Sequence, residues 1–354
     1  MATYLFDDFA DFKTYAGGTV NQSVALESLA PAMEETLHTH LLPWLSQEMY
    51  DELDASIAAP SPAQAALLQR VKKAFALLTM YEYTATASIQ VSDAGMMRVE
   101  TEDMKSAYKY QEAGYREWML HTGYNRLEDM IRFLNTNIGD YATWAGTLEA
   151  QRSRELFLNY TADFRRVHSK SMSRYTFEVL RPVIEDVQIF AIRANIGDDF
   201  YNELKAAVEA QTTTADQSKV VALIQKAIAH LSVNEGVKQG IVQIKGDMVT
   251  KNTSAEQQGY QVKGAPGADD IDLKTHYEYT TGNRHISELL TFLSDNQDDY
   301  PTYKAYLEAK AAAAEAEQTE TAEWQDERCC GTCGLGVWDC SCSTKKQRKR
   351  IVRL

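Results

Sequence analysis

The sequence predicts a mainly α-helical fold: a tandem duplication of a helical-bundle domain, with a short β-strand or hairpin segment in each copy. A C-terminal helical arm and a small Cys-rich tail follow. Three observations predict this. A long segment recurs at a nearly constant offset, apolar residues in both copies keep helical spacing, and all five cysteines fall in the last 26 residues, 329–354.

The recurrence is clearest between LAPAMEETLHTHLLPWLSQEMYDELDASI, from Leu29, and LRPVIEDVQIFAIRANIGDDFYNELKAAV, from Leu180. At an offset of 151, Pro31 falls on Pro182, Glu34 on Glu185, Tyr50 on Tyr201, Glu52 on Glu203 and Leu53 on Leu204. Upstream, Phe12 meets Phe164; downstream, Ala74 meets Ala227 at an offset of 153. TGYNRLEDMIRFLNTNIGDYATWAGTLEA then pairs with TGNRHISELLTFLSDNQDDYPTYKAYLEA at 159, setting Phe133 on Phe292, Tyr141 on Tyr300 and Leu148 on Leu307. The offset grows only where loops are expected. The chain therefore divides into a helical repeat over 1–155, a second over 156–312, and an arm with a Cys-rich basic tail over 313–354.

Within each copy, Pro31 and Pro182 are expected to start the first clear helix, where a missing N–H costs nothing. Glu34, Glu35, Glu185 and Asp186 would then lie near the positive end of its dipole. A second helix is expected over roughly 46–57 and 198–210. A third runs over 62–83 and 216–235, where Leu68, Val71, Phe75 and Leu78 share a face. Extended segments follow at 88–99 and 240–249, with Ile89 and Val91 matching Val242 and Ile244. A long helix over 101–136 carries Met104, Tyr108, Tyr115, Trp118 and Met119 as a stripe that reads as packing. In the second copy, residues 250–274 lack an apolar period and read as a long mobile loop, with helix returning at about 281–295. The last helix starts after Tyr141 or Tyr300, and its second version continues through EAKAAAAEAEQTETAEWQDE as an arm.

The net charge of −14 conceals an asymmetry. The final decapeptide holds six of the 36 basic residues, Lys345, Lys346, Arg348, Lys349, Arg350 and Arg353, and the preceding chain sets 30 bases against 50 acids, a net −20. Such a body is a poor general nucleic-acid binder, and the basic tail reads either as a solvated end or as a docking element. The N-terminus lacks a basic segment followed by an apolar one, and no apolar run approaches a bilayer span, so a soluble protein made in the cytoplasm is expected.

Enzymatic chemistry finds little support. There is no phosphate loop, dinucleotide fingerprint, nucleophile elbow or HExxH. His38 and His40 are two apart on a helix, point to different faces, and align with Ile189 and Ala191. The pairs Asp198-Asp199 and Asp298-Asp299 adjoin helix starts, where acids favour the dipole. The one sharp local signal is CCGTCGLGVWDCSC at 329–342. Cys330 and Cys333 form the first half of a tetrahedral thiolate site that Cys340 and Cys342 could complete around a structural zinc, with Cys329 left over. Disulfide or mixed redox states, and a disordered Cys-rich tail, are the other readings. Leu335 and Trp338 supply apolar contact for a partner beside the six basic residues.

The pattern of helical modules ending in RLEDMIRFLNTNIGDYATWAGT, with VSDAG between helices, resembles an uncharacterised protein family over roughly residues 5–310. Phages and prophages of Bacteroides-type bacteria encode that family, typically near virion head genes. Its organisation is similar to that of the head–tail adaptor (connector) proteins of tailed bacteriophages, which are helical bundles with a strand or hairpin and a C-terminal arm. The resemblance implies a ring-forming neck protein of the virion, assembled in the host cytoplasm. It would contact itself, the portal protein, tail or stopper proteins and the genomic DNA passing through the channel, but no membrane, and the resemblance implies no catalytic residues. This chain departs from simple adaptors in its duplication and its Cys-rich basic tail. A nucleic-acid-binding or regulatory protein acting through that tail is the competing expectation.

Overall fold

A computed structural model describes residues 4–6, 8–17, 25–87, 89–92, 95–98, 109–245, 247–251 and 268–326. The first copy opens with α1 (Phe9–Ala16), capped by Asp8, whose Oδ1 accepts from the Asp11 amide at 2.8 Å. Next, α2 (Leu26–Thr36) passes through a π-helical turn (Leu37–Leu41) into α3 (Leu42–Leu45). Then come α4 (Gln47–Ser56), α5 (Pro62–Thr86) and an antiparallel hairpin of β1 (Ile89–Ser92) and β2 (Gly95–Arg98). The long α6 (Lys109–Thr136), a 3-10 turn (Ile138–Asp140), α7 (Ala142–Ala145) and α8 (Leu148–Arg152) complete the copy.

The second copy repeats this order: α9 (Thr161–Val167), α10 (Arg174–Val187), a π-helical turn (Gln188–Arg193), α11 (Ala194–Ile196), α12 (Asp198–Glu209) and α13 (Ala215–Lys238). The hairpin of β3 (Val242–Lys245) and β4 (Met248–Lys251), then α14 (Ala268–Asp295) and a 3-10 turn (Gln297–Asp299), follow in step. The duplication extends to individual hydrogen bonds. Ser61 and Gln64 form a reciprocal capping box at the start of α5, and Thr214 and Gln217 form the same box at α13. In both, the glutamine amide reaches back to the preceding helix, Gln64 to Glu52 at 3.3 Å and Gln217 to Glu203 at 3.2 Å.

Two expectations fail. Pro31 and Pro182 do not start helices but lie inside α2 and α10. The buried faces extend upstream of both prolines, through Leu29 in α2 and Phe177 and Leu180 in α10. Their burial outweighs the interior proline, which costs about 3 kcal/mol. Ser173 supplies the cap of α10, its side chain accepting from Thr176 at 3.2 Å, so Glu34, Glu35, Glu185 and Asp186 fall outside the first turns. Second, the loop expected over 250–274 gives way at its two ends, to β4 as far as Lys251 and to helix from Ala268, so α14 is as long as α6; residues 252–267 lie outside the described residues. Its buried positions include Thr275, Glu278 and Thr281; a polar inner face leaves no apolar period to read. In the stripe of α6, Met119 is fully buried, but Trp118 is half exposed and stacks on Tyr115 at 5.6 Å. Met104 and Tyr108 lie outside the described residues.

In each copy the two longest helices pack side by side, α5 on α6 and α13 on α14. Phe6, Phe12, Phe75, Met119 and Leu127 fill the first core, and Phe164, Ile228 and Leu289 are among the fully buried residues of the second. The copies meet where α10 crosses α6. There Arg174, 1% exposed, donates to the Asn159 carbonyl at 2.6 Å and lies 3.7 Å from Glu128 and 2.6 Å from Glu178. Its guanidinium also sits over Trp44 and Phe177, at 5.1 and 4.8 Å. Glu128 accepts from the amide and hydroxyl of Thr161. Burial pushes its carboxyl above the usual carboxylate range, with Arg174 and Thr161 acting in the opposite direction. Tyr124 and Tyr175 meet edge to face at 5.1 Å across the same joint.

Residues up to Asp295 form one unit and those from Asn296 a second. The second holds α15 (Pro301–Asp326), 26 residues long, or roughly 40 Å at 1.5 Å per residue. At its start Lys304 pairs with Asp298 at 2.7 Å, holding that carboxyl below its ordinary range. Among the described residues, no helix is long and apolar enough to cross a membrane.

Candidate functional site

Because the two copies share a scaffold, each core position of one can be compared with its partner in the other. At three of them the second copy places an ionisable group where the first has an apolar one: His168 for Ala16, His230 for Leu77 and Glu278 for Met119. All three apolar residues are buried, so the scaffold itself does not require polar groups there.

The three ionisable residues come together. His168 follows the last turn of α9, its amide donating to Phe164 at 2.9 Å, while His230 lies within α13 and Glu278 within α14. Their exposures are 3%, 6% and 1%. Glu278 Oε2 lies 3.0 Å from His168 Nε2 and 2.6 Å from His230 Nδ1. The imidazole centroids are 4.5 Å apart, with Phe164 against His168 and His285 beyond His230. Burial alone would raise the carboxyl of Glu278, but the two histidine hydrogen bonds outweigh it and bring the pKa down to about 2. Glu278 is therefore a buried carboxylate at neutral pH, held by two imidazoles. The Lys170 amide donates to His168 Nδ1 at 3.1 Å, which leaves the ring proton on Nε2, facing Glu278.

Two imidazole nitrogens and one carboxylate oxygen are also the donor set of a borderline transition ion, since imidazole suits zinc-type ions and not magnesium or calcium. Sequence patterning missed this cluster because its members are 62 and 48 residues apart and none belongs to a local motif. The comparison of the copies contains the signal, as polar-for-apolar exchanges at matched core positions.

A second feature belongs to the first copy. Arg70, Lys73, Arg126, Arg132 and Phe133 line a surface cavity of about 390 Å³ between α5 and α6. Arg70 lies 3.9 Å over the Phe133 ring, and Arg126 pairs with Asp129 at 3.2 Å. The second copy has Leu223, Lys226, His285 and Thr291 at the matched positions, so only Lys226 keeps a lysine or arginine there.

The histidines considered from sequence separate as expected. His38 is exposed, whereas His40 is buried against Glu82 at 2.9 Å and Tyr124 at 3.2 Å. Asp198 occupies the first turn of α12 and pairs with Arg193 at 2.7 Å, which lowers its pKa. The expected zinc ligands Cys330, Cys333, Cys340 and Cys342 lie outside the described residues. So do the expected partner-binding residues Leu335, Trp338, Lys345, Lys346, Arg348, Lys349, Arg350 and Arg353.

No curated protein and no solved structure matches the chain. One family model does, twice, over residues 29–154 and 192–312, one match within each structural copy, and the two together exceed half the chain. The chain belongs to DUF6712, a family of unknown function, and carries its module in tandem.

Proposed function

We propose that this chain is a non-enzymatic structural protein of a tailed-phage virion, a head–tail connector or neck adaptor that forms a ring between portal and tail. The observation that carries the reading is the joint between the copies. The α6 face of the first copy packs on α10 of the second, and no comparable contact links α2 with α14 among the described residues. Such a head-to-tail contact, unlike a two-fold one, generates rings when continued and closed. Helical modules that each carry a hairpin, followed by a long C-terminal helix, also agree with the resemblance to adaptors. A body of net charge −20 suits the wall of a channel through which DNA must slide without sticking.

Partners in this reading are further copies of the chain, the portal protein, tail or stopper proteins, and DNA in transit. Imaging purified virions with the product labelled tests it. Density in a ring at the neck is the expected outcome, and absence of the product from intact particles would overturn it. Deleting residues 329–354 separates the competing reading of a nucleic-acid-binding protein: loss of DNA binding with assembly intact would favour that alternative, and loss of portal docking the neck role.

A further inference from the structure

We propose that His168, His230 and Glu278 bind one divalent transition ion of the zinc type, at a site joining the end of α9 to α13 and α14 in the second copy only. The ligand atoms are His168 Nε2, His230 Nδ1 and a Glu278 oxygen, all within 4.8 Å of one another. Three protein ligands of this kind leave one tetrahedral position for water. His168 follows α9, His230 lies in α13 and Glu278 in α14, so the ion would cross-link segments 62 and 48 residues apart in sequence, where closing long loops has most effect on the unfolded chain.

The first copy is the internal control. The matched positions there are Ala16, Leu77 and Met119, each buried and apolar, so a buried carboxylate between two imidazoles is an addition to the fold and not a requirement of it. Burying such a group has a cost that an apolar trio avoids. A metal ion would account for its presence.

Loading has a defined structural consequence. Each imidazole must present a lone pair in place of the proton now directed at Glu278, so each ring proton moves to the other nitrogen. For His168 that nitrogen is Nδ1, which accepts from the Lys170 amide. Residues 168–170 form a bend. Turning the Ser169–Lys170 peptide would exchange the amide for the Ser169 carbonyl, giving His168 Nδ1–H the acceptor that a ligating histidine ordinarily has. Metal entry is therefore coupled to a rearrangement of this bend.

The test uses the full chain with its five cysteines alkylated, so that thiolates cannot contribute. Titration with Co²⁺ should give the visible absorption of tetrahedral cobalt, saturating at one ion per chain, and Zn²⁺ should displace it and raise the Tm. The variant H168A/H230L/E278M, which installs the residues of the first copy, should remain folded and lose both effects, and His230→Leu alone should weaken them. A wild-type chain with neither a cobalt band nor a zinc-dependent Tm would overturn the proposal, whatever the variants do. A band that persists unchanged in the triple variant would overturn it equally.

Discussion

Gly282 approaches Leu231 so closely that a methyl group on its Cα would lie 2.6 Å from Leu231 Cγ, and Gly123 stands in the same relation to Leu78 at 2.7 Å. Both pairs lie at the same level of the matched helix contacts, α13 with α14 and α5 with α6, so the duplication has preserved a contact between backbone and leucine. Gly282→Ala and Gly123→Ala should each destabilise the protein by about 1–3 kcal/mol, as overpacking does. Denaturant unfolding measures this; an unchanged midpoint for both would mean the helix pairs separate freely.

Ser46 and Gly197 end the matched short helices α3 and α11 with nearly the same backbone angles, φ 67, ψ 157 and φ 84, ψ 155. That region suits glycine and costs other residues about 1–3 kcal/mol. Ser46→Gly should raise stability by about 1 kcal/mol despite losing the 3.4 Å cap to the Met49 amide, because glycine is itself a tolerable cap. Gly197→Ala should lower it. Thermal melts of the pair provide the check, and opposite signs are the expected result.

Arg174 is the buried cation of the joint between copies. Arg174→Met should cost about 3–5 kcal/mol, because it removes the buried cation that faces both Glu128 and Glu178. Adding Glu128→Gln should recover part of that loss. A double-mutant cycle reads the coupling, and strictly additive effects would show that the 3.7 Å pair contributes nothing.

Glu278 has a folded pKa of about 2 against an ordinary value of 4.5. Its ionised form therefore stabilises the fold fully above the ordinary carboxylate range, and that contribution is lost as pH falls from about 4.5 toward about 2. Glu278→Gln, measured with chelator present, should lower stability at neutral pH and make its decline across this window shallower. An identical acid limb in both proteins would show that the carboxylate gains nothing from its histidines.

The sequence by itself determined the duplication, the mainly helical class and several element boundaries. The helix starts expected at about 62 and 216 fall at Pro62 and Ala215, because the capping boxes that fix them, Ser61 with Gln64 and Thr214 with Gln217, are local. Leu68, Val71, Phe75 and Leu78 mark α5 because their spacing maps directly onto one face. Only the tertiary structure decided where α2, α10 and α14 begin. In the first two, burial upstream of Pro31 and Pro182 overrides a local preference. In α14, Thr275, Glu278 and Thr281 face inward, so the usual apolar signal is absent. The His168–His230–Glu278 cluster was beyond local reading for the same reason. Its partners are distant in sequence, and a histidine or glutamate declares itself buried only when the fold supplies the other side of the contact.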